Sequence, residues 1–148
     1  MTDPIRELKT RAEILHKRLQ LPSRRDGLTA IAQQIGFPNW PTAKAAIEGE
    51  LSSEYGTLLY PKRLIGHTNH WYVKYEEAAA QRAAANSYLL AYKRHYFVAD
   101  RYFVESLGLD PDDPDWRAMG FDWARPTDAA ARTRLYGQLI AKLPKEAA

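Results

Sequence analysis

The sequence predicts a mainly helical α+β protein, in which an N-terminal three-helix unit packs with a small antiparallel sheet and a C-terminal helix. Apolar residues recur at three- and four-residue steps in the first 49 residues and again near the end of the chain. Between them, the segment YLLAYKRHYFVA is rich in aromatic and branched residues, as strands are. A length of 148 residues suits one domain (1–148), made of a helical subdomain (1–49) and an α+β part (50–148).

The first predicted helix begins after Asp3, a good N-cap, with Pro4 in its first turn. It ends before Pro22, because proline disfavours helical geometry in the residue that precedes it. Its apolar stripe is predicted to lie opposite the basic residues and consists of Ile5, Leu8, Ala12, Leu15 and Leu19.

Two shorter helices are predicted next. The second begins at Ser23, which has the spacing of a capping box to Asp26, and Gly36 closes it in a left-handed conformation. The third spans residues 40–48 after an Asn39 cap. Two helices joined by a tight glycine turn, with Ala32 four residues before Gly36, form the pattern of a helix-turn-helix.

Positive charge is concentrated at the N-terminal end. The net charge is +3, but residues 1–25 contain seven Lys or Arg against three acids, whereas the chain after Lys74 has eleven acids and ten bases. Clustered cations attract phosphates, so this end is expected to bind DNA. The residues expected to contact phosphates are Lys17, Arg18, Arg24 and Arg25, and those expected nearest the bases are Asn39, Thr42 and Lys44. The alternative is a solvated face on a purely structural helical unit.

The pattern L-K-x-x-A-x-x-L followed by A-x-x-x-G-F-x-N-W covers about the first third of the chain. The second part is represented by Ala32, Gly36, Phe37, Asn39 and Trp40. It resembles a short helical, helix-turn-helix-like module of uncharacterised bacterial mobile-element proteins. The remainder, with YLLAYKRHYFVAD and LGLDPDDPDW, resembles hypothetical bacterial proteins of unknown role. Neither resemblance implies a catalytic residue.

The middle of the chain is predicted to contain the sheet. Residues 51–66 read as a packed loop with a short extended piece, and residues 71–73 as a short strand. An alanine-rich helix is expected over 76–87, with a small-residue face through Tyr75, Ala79 and Ala83. Residues 88–99 are the best strand candidate, with Lys93 and Arg94 either at a hairpin tip or facing outward. Their rings favour a core strand over a platform that stacks single-stranded nucleic acid.

Three helical segments are expected after the sheet. Asp100 caps a short helix through Leu107, Asp113 caps a helical turn that Gly120 closes, and Thr127 or Asp128 caps a final helix that ends near Leu143. The residues predicted to anchor this region on the core are Trp116, Phe121 and Trp123, followed by Ala131, Leu135 and Leu139.

Several chemistries find little support. His67 and His70 are three residues apart without a third ligand at a signature spacing, and the acidic loop 110–115 lacks the glycine and glutamate of a calcium loop. His95 could pair with Asp100 or Glu105, but no spacing selects that pair. There is no nucleophile elbow and no phosphate-cradling glycine loop. The chain is therefore expected not to be an enzyme and to bind no metal or cofactor.

The absence of cysteine suits a reducing compartment, and no stretch approaches the roughly 18 apolar residues that span a bilayer. The start, MTDPIRELK, has no export signal, so a cytoplasmic location without membrane contact is expected.

The preferred function is a small DNA-associated or regulatory protein. The alternative is a protein-interaction module, an inhibitor or accessory factor, whose aromatic residues and acidic loop, with Trp116, meet a protein partner. The oligomeric state stays open.

Overall fold

The computed structural model describes residues 3–50, 53–67 and 69–144. Its α-helices are α1 (Pro4–Arg18), α2 (Arg24–Gln34), α3 (Trp40–Ile47), α4 (Tyr75–Ala85), α5 (Arg101–Ser106), α6 (Pro114–Ala118) and α7 (Ala129–Ala141). Its strands are β1 (His70–Tyr72), β2 (Tyr88–Tyr92) and β3 (His95–Ala99). The protein therefore has the predicted mainly helical α+β fold.

The three N-terminal helices begin at the predicted caps. Asp3 accepts a hydrogen bond from the Ile5 amide at 3.0 Å, and Ser23 and Asp26 form the capping box. Gly36 closes α2 with a φ of +88°. One expectation was wrong: Leu19 is 53% exposed, because α1 ends at Arg18 and Leu19, its C-cap, no longer follows the helical stripe.

The three strands form one antiparallel sheet in the order β1-β3-β2. Lys93 and Arg94 form the turn between β2 and β3, and Lys93 has a φ of +54°, so the hairpin reading is confirmed. The predicted strand at 71–73 begins one residue earlier, at His70, and the exposed Val73 lies outside it. In the predicted loop 51–66, residues 51 and 52 lie outside the described residues. The remainder contains a 3-10 turn at Lys62–Leu64 and no strand within 53–66.

The sheet separates two groups of buried side chains. One face, which includes Leu90 and Phe97, joins the main core with residues from α1, α2, α3, α5, α6 and α7. The opposite face, which includes Leu89, packs against Ala78 of α4. The predicted α4 face was partly wrong, since Ala83 is exposed. An alanine-rich helix has no apolar periodicity that fixes which side is buried.

The segment after α6 closes one edge of the sheet. The Leu89 amide donates to the Phe121 carbonyl at 2.9 Å, and the Trp123 amide donates to the Leu89 carbonyl at 2.9 Å. Trp116 and Trp123 are buried as predicted, and Phe121 is partly buried. This segment covers the outer side of β2, so β1 is the open edge of the sheet among the described residues.

Side chains of α7 bind the last carbonyls of α3. Arg132 is 1% exposed and donates to the Trp123 carbonyl at 2.8 Å and to the Ala46 carbonyl at 2.9 Å. The Thr133 hydroxyl donates to the Ile47 carbonyl at 2.6 Å. The C-terminal carbonyls of a helix have no partner within the helix, so these contacts join the N-terminal helices to the C-terminal one. Asp128 caps α7, at 3.0 Å from the Ala130 amide.

Candidate nucleic-acid interface

The outward side of α1 carries a row of cations. Arg6, Lys9 and Lys17 lie at steps of three and eight residues with Glu13 between them, so the four side chains share one side of the helix. All four are exposed and line a shallow groove of about 620 Å³ along α1. We call Arg6, Lys9 and Lys17, together with Arg24, the basic face.

Arg24 extends this face from α1 to α2. Its Nε lies 3.4 Å from Glu13 Oε1, and the two side chains are 82% and 49% exposed. An ion pair this exposed contributes little to stability, because water and salt screen it. Arg18 and Arg25 are exposed next to these residues in the chain.

The acids near the basic face already have partners. Asp3 caps α1, Glu7 bonds Arg11 at 3.0 Å, and Glu13 pairs with Arg24. These are the three acids of residues 1–25. With seven Lys or Arg against these three acids, this end of the chain has an excess of positive charge.

Arg11 departs from the predicted cluster. It counts among the seven cations of residues 1–25, but its side chain is 4% exposed and faces the core. It donates to the carbonyls of Pro144 at 3.1 Å and Ala141 at 3.5 Å, next to the end of α7. The expectation that the basic residues lie opposite the apolar stripe was therefore wrong for Arg11, which follows the buried side of α1.

The residues predicted nearest the bases have structural contacts of their own. The Asn39 side-chain oxygen accepts the Thr42 amide at 2.9 Å and so caps α3. Lys44 Nζ lies 3.4 Å from Glu48 Oε1. Asn39 is exposed, whereas Thr42 is half-buried. This surface offers few free hydrogen-bonding groups to a base edge.

The predicted site residues fall into two groups. Lys17 and Arg18 end α1, and Arg24 and Arg25 begin α2 after a short turn, so these four share one end of the helix pair. Asn39 follows the opposite end of α2, which has 11 residues and is about 16 Å long. Sequence reasoning did not assign Arg6 and Lys9 to the site, although their helical spacing to Lys17 was a usable signal.

The histidines considered as metal ligands or bases are His67, His70 and His95. Among residues 3–50, 53–67 and 69–144, no group of three or more His, Asp or Glu could hold a metal ion. The His67 ring contacts Phe103, with centroids 5.5 Å apart. The two acids considered for His95 have other partners, since Asp100 caps α5 at 2.9 Å from the Phe103 amide and Glu105 pairs with Arg101 at 3.9 Å.

Two of the four carboxylates in the acidic loop 110–115 pair with arginines from other elements. Asp110 accepts the Asp112 amide at 2.9 Å, and Asp112 binds Arg101 at 2.8 Å. Asp115 forms a bidentate ion pair with Arg134, and its shortest contact is 2.7 Å. The carboxylates of this loop thus hold its own conformation.

No protein-family model, curated protein or solved structure matches the chain. The resemblance of its first third to modules of mobile-element proteins accordingly remains an expectation from sequence. In the described parts of the chain, every helix is too short or too polar to cross a bilayer.

Proposed function

We propose that this protein binds DNA through the basic face, by contacts to the phosphate backbone. The observation that carries the proposal is the exposure of Arg6, Lys9, Lys17 and Arg24 on one surface, where these cations outnumber Asp3 and Glu13, the acids that line the groove along α1. Cations arranged in this way displace counterions from a nucleic acid, which favours binding without reading its sequence.

The proposal assigns α3 a minor part in recognition. Lys44 would have to leave Glu48, and Asn39 would have to keep its capping bond while it reached a base. Binding should therefore depend weakly on base sequence, with two duplexes of different sequence differing in affinity by less than about threefold. A Lys44→Gln variant should bind almost as tightly as the native protein.

The experiment compares two triple variants by fluorescence anisotropy on a labelled duplex of about 20 base pairs at about 50 mM salt. Lys9→Gln, Lys17→Gln and Arg24→Gln together should weaken binding at least about tenfold, because each removes a phosphate contact. The matched control replaces the exposed Lys62, Lys74 and Lys93 with Gln, which removes the same charge elsewhere. It should weaken binding less than about twofold.

Circular dichroism of each variant verifies that the helices are intact. Equal weakening by the two triple variants would show that net charge alone is responsible and would contradict a binding surface on α1. Absence of saturable binding by the native protein at low salt would reject the proposal.

A second candidate function is a protein-interaction module, which one observation favours. Trp71 in β1 and Val73 just after it are 42% and 74% exposed at the open edge of the sheet, and Ile65, in the segment before β1, is 60% exposed. Apolar side chains at a free strand edge are typical of protein contacts. Trp116 does not test this function, because it is 1% exposed and its removal would damage the core. A partner lost on Trp71→Ser, in a protein that binds no DNA, would favour this candidate.

A further inference from the structure

A groove of about 700 Å³ is formed by different helices and strands from those that carry the basic face. It is bounded by the residues that precede β2, the start of α5, the acidic loop and α6. Its size falls in the range of small-molecule sites, about 300–1,000 Å³. Its walls combine aromatic rings with two arginines, Arg101 and Arg117.

The groove is lined by two arginines and two aspartates, and these four charges are unequally paired. Arg101 binds Asp112 at 2.8 Å, and Asp113 is occupied by the Asp115 amide at 2.9 Å and by Gln138 at 3.2 Å. Arg117 is exposed, and no hydrogen bond or ion pair joins its side chain to another described residue. The groove therefore contains one guanidinium without an ion-pair partner among the described residues, beside a second whose partner Asp112 is 71% exposed.

The backbone of one wall is strained. Phe121 has a φ of +57°, a left-handed conformation that costs a bulky residue free energy. It is held there by its amide, which donates to the Trp116 carbonyl at 2.8 Å, and by its carbonyl, which accepts the Leu89 amide at 2.9 Å. Strained residues cluster at ligand sites, where a required geometry outweighs local preference.

We infer that this groove binds a small molecule that carries a carboxylate or phosphate. Arg117 is the first ligand of the oxyanion, since a guanidinium donates two parallel hydrogen bonds to either group. Arg101 also binds the oxyanion, after its ion pair with Asp112 opens. The rings of Tyr88 and Phe121, which line the same groove, contact the apolar part of the molecule.

The test is an NMR titration of the intact protein with sodium benzoate and, separately, with inorganic phosphate, at constant ionic strength kept with sodium chloride. Saturable shifts are expected for amides of residues 86–88 and 117–121 with at least one of the two anions. Benzoate binding more tightly than phosphate identifies a carboxylate with an apolar body as the ligand. The reverse order identifies a phosphate compound.

Three variants sharpen the test. Arg117→Gln should weaken binding about tenfold, because it removes the charge-assisted contact. Asp112→Asn should tighten binding about threefold, because it frees Arg101. Arg94→Gln removes an equal charge at the hairpin tip and should change affinity less than about twofold. Shifts that rise linearly with both anions, or an Arg117→Gln variant that binds as well as the native protein, would overturn the inference.

Discussion

Two regions of this protein use the same kind of side chain in opposite surroundings. On the basic face, Arg24 is 82% exposed and its nearest acid, Glu13, lies 3.4 Å away in contact with solvent. At the junction of α3 and α7, Arg132 is 1% exposed and donates to two backbone carbonyls at 2.8 and 2.9 Å. A guanidinium that is shielded from water supports the fold, whereas one in water is free to meet a ligand.

Arg11 shows that a buried cation and an exposed one can be close neighbours in the sequence. It stands two residues after Lys9, yet it faces α7 while Lys9 faces solvent. Successive residues of a helix point about 100° apart, so a shift of two positions moves a side chain to the other side. Charge density along the sequence therefore overstates the positive charge available at the surface.

The largest expected effect is that of Arg132→Ala. The change removes the Arg132 hydrogen bond to the Trp123 carbonyl, leaves the Ala46 carbonyl with the Gly49 amide as its donor, and opens a cavity between α3 and α7. We expect the free energy of unfolding to fall by about 2 to 4 kcal/mol in a urea titration. The control, Arg24→Ala, should change it by less than about 0.5 kcal/mol. Similar losses of unfolding free energy in both variants would contradict the difference between the basic face and the junction of α3 and α7.

Tyr75 extends the contrast to a half-buried phenol. It donates to the Asp122 carboxylate, which is 9% exposed, and the Arg125 guanidinium lies 3.9 Å from the centre of its ring. Tyr75→Phe leaves that carboxylate short of a donor, so we expect a loss of about 1 to 3 kcal/mol at neutral pH. Thermal or urea unfolding measures it.

The same variant predicts a pH dependence. Burial, and then the bond to Asp122, raises the pKa of Tyr75 above its ordinary value of 10.0, and burial raises the pKa of Tyr55 and Tyr136. The folded state thus favours the neutral phenols, and their stabilisation is complete below about pH 10 and is lost as the pH rises above it. Unfolding free energy measured from about pH 8 to about pH 11 should fall, and less steeply in Tyr75→Phe. A flat profile would contradict the assigned burial.

Arg11→Ala tests the inward side of α1. Its loss removes the contacts to Glu7 and to the carbonyls next to the end of α7, so we expect about 1 to 2 kcal/mol less stability. The neighbouring Lys9→Ala should cost less than about 0.5 kcal/mol, because that side chain is exposed. DNA affinity should respond the other way, weakening in Lys9→Ala and staying unchanged in Arg11→Ala.

The smallest expected effect is that of Glu13→Gln. It removes the acid in the middle of the basic face and releases Arg24. DNA affinity at low salt should rise about threefold while stability changes by less than about 0.5 kcal/mol. Weaker binding would show that Glu13 orients Arg24 rather than competing with the phosphate.

The sequence was sufficient where structure is local. The Asp3, Ser23 and Asn39 caps and the glycine turn at Gly36 were all predicted, because each acts within a few residues of itself. The hairpin tip at Lys93 was one of two alternatives that the sequence left open, and the structure selects it.

What the sequence did not reveal depends on distant partners. Arg132 binds a carbonyl 86 positions away, and Arg11 binds one 133 positions away. No spacing along the chain encodes such contacts. The buried side of α4 was also missed in part, because its alanines carry no pattern. For the candidate interface, the predicted phosphate contacts were chosen from cations close together in sequence, whereas the helical spacing that adds Arg6 and Lys9 to the basic face was not used.

The salt dependence of DNA binding tests the role of the basic face most directly. For the native protein, the logarithm of the association constant should fall against the logarithm of salt concentration with a slope of about −3 to −5. Replacing Lys9, Lys17 and Arg24 together with Gln should make that slope shallower by about 2 to 3. A slope that the triple variant leaves unchanged would show that these exposed cations do not contact phosphate.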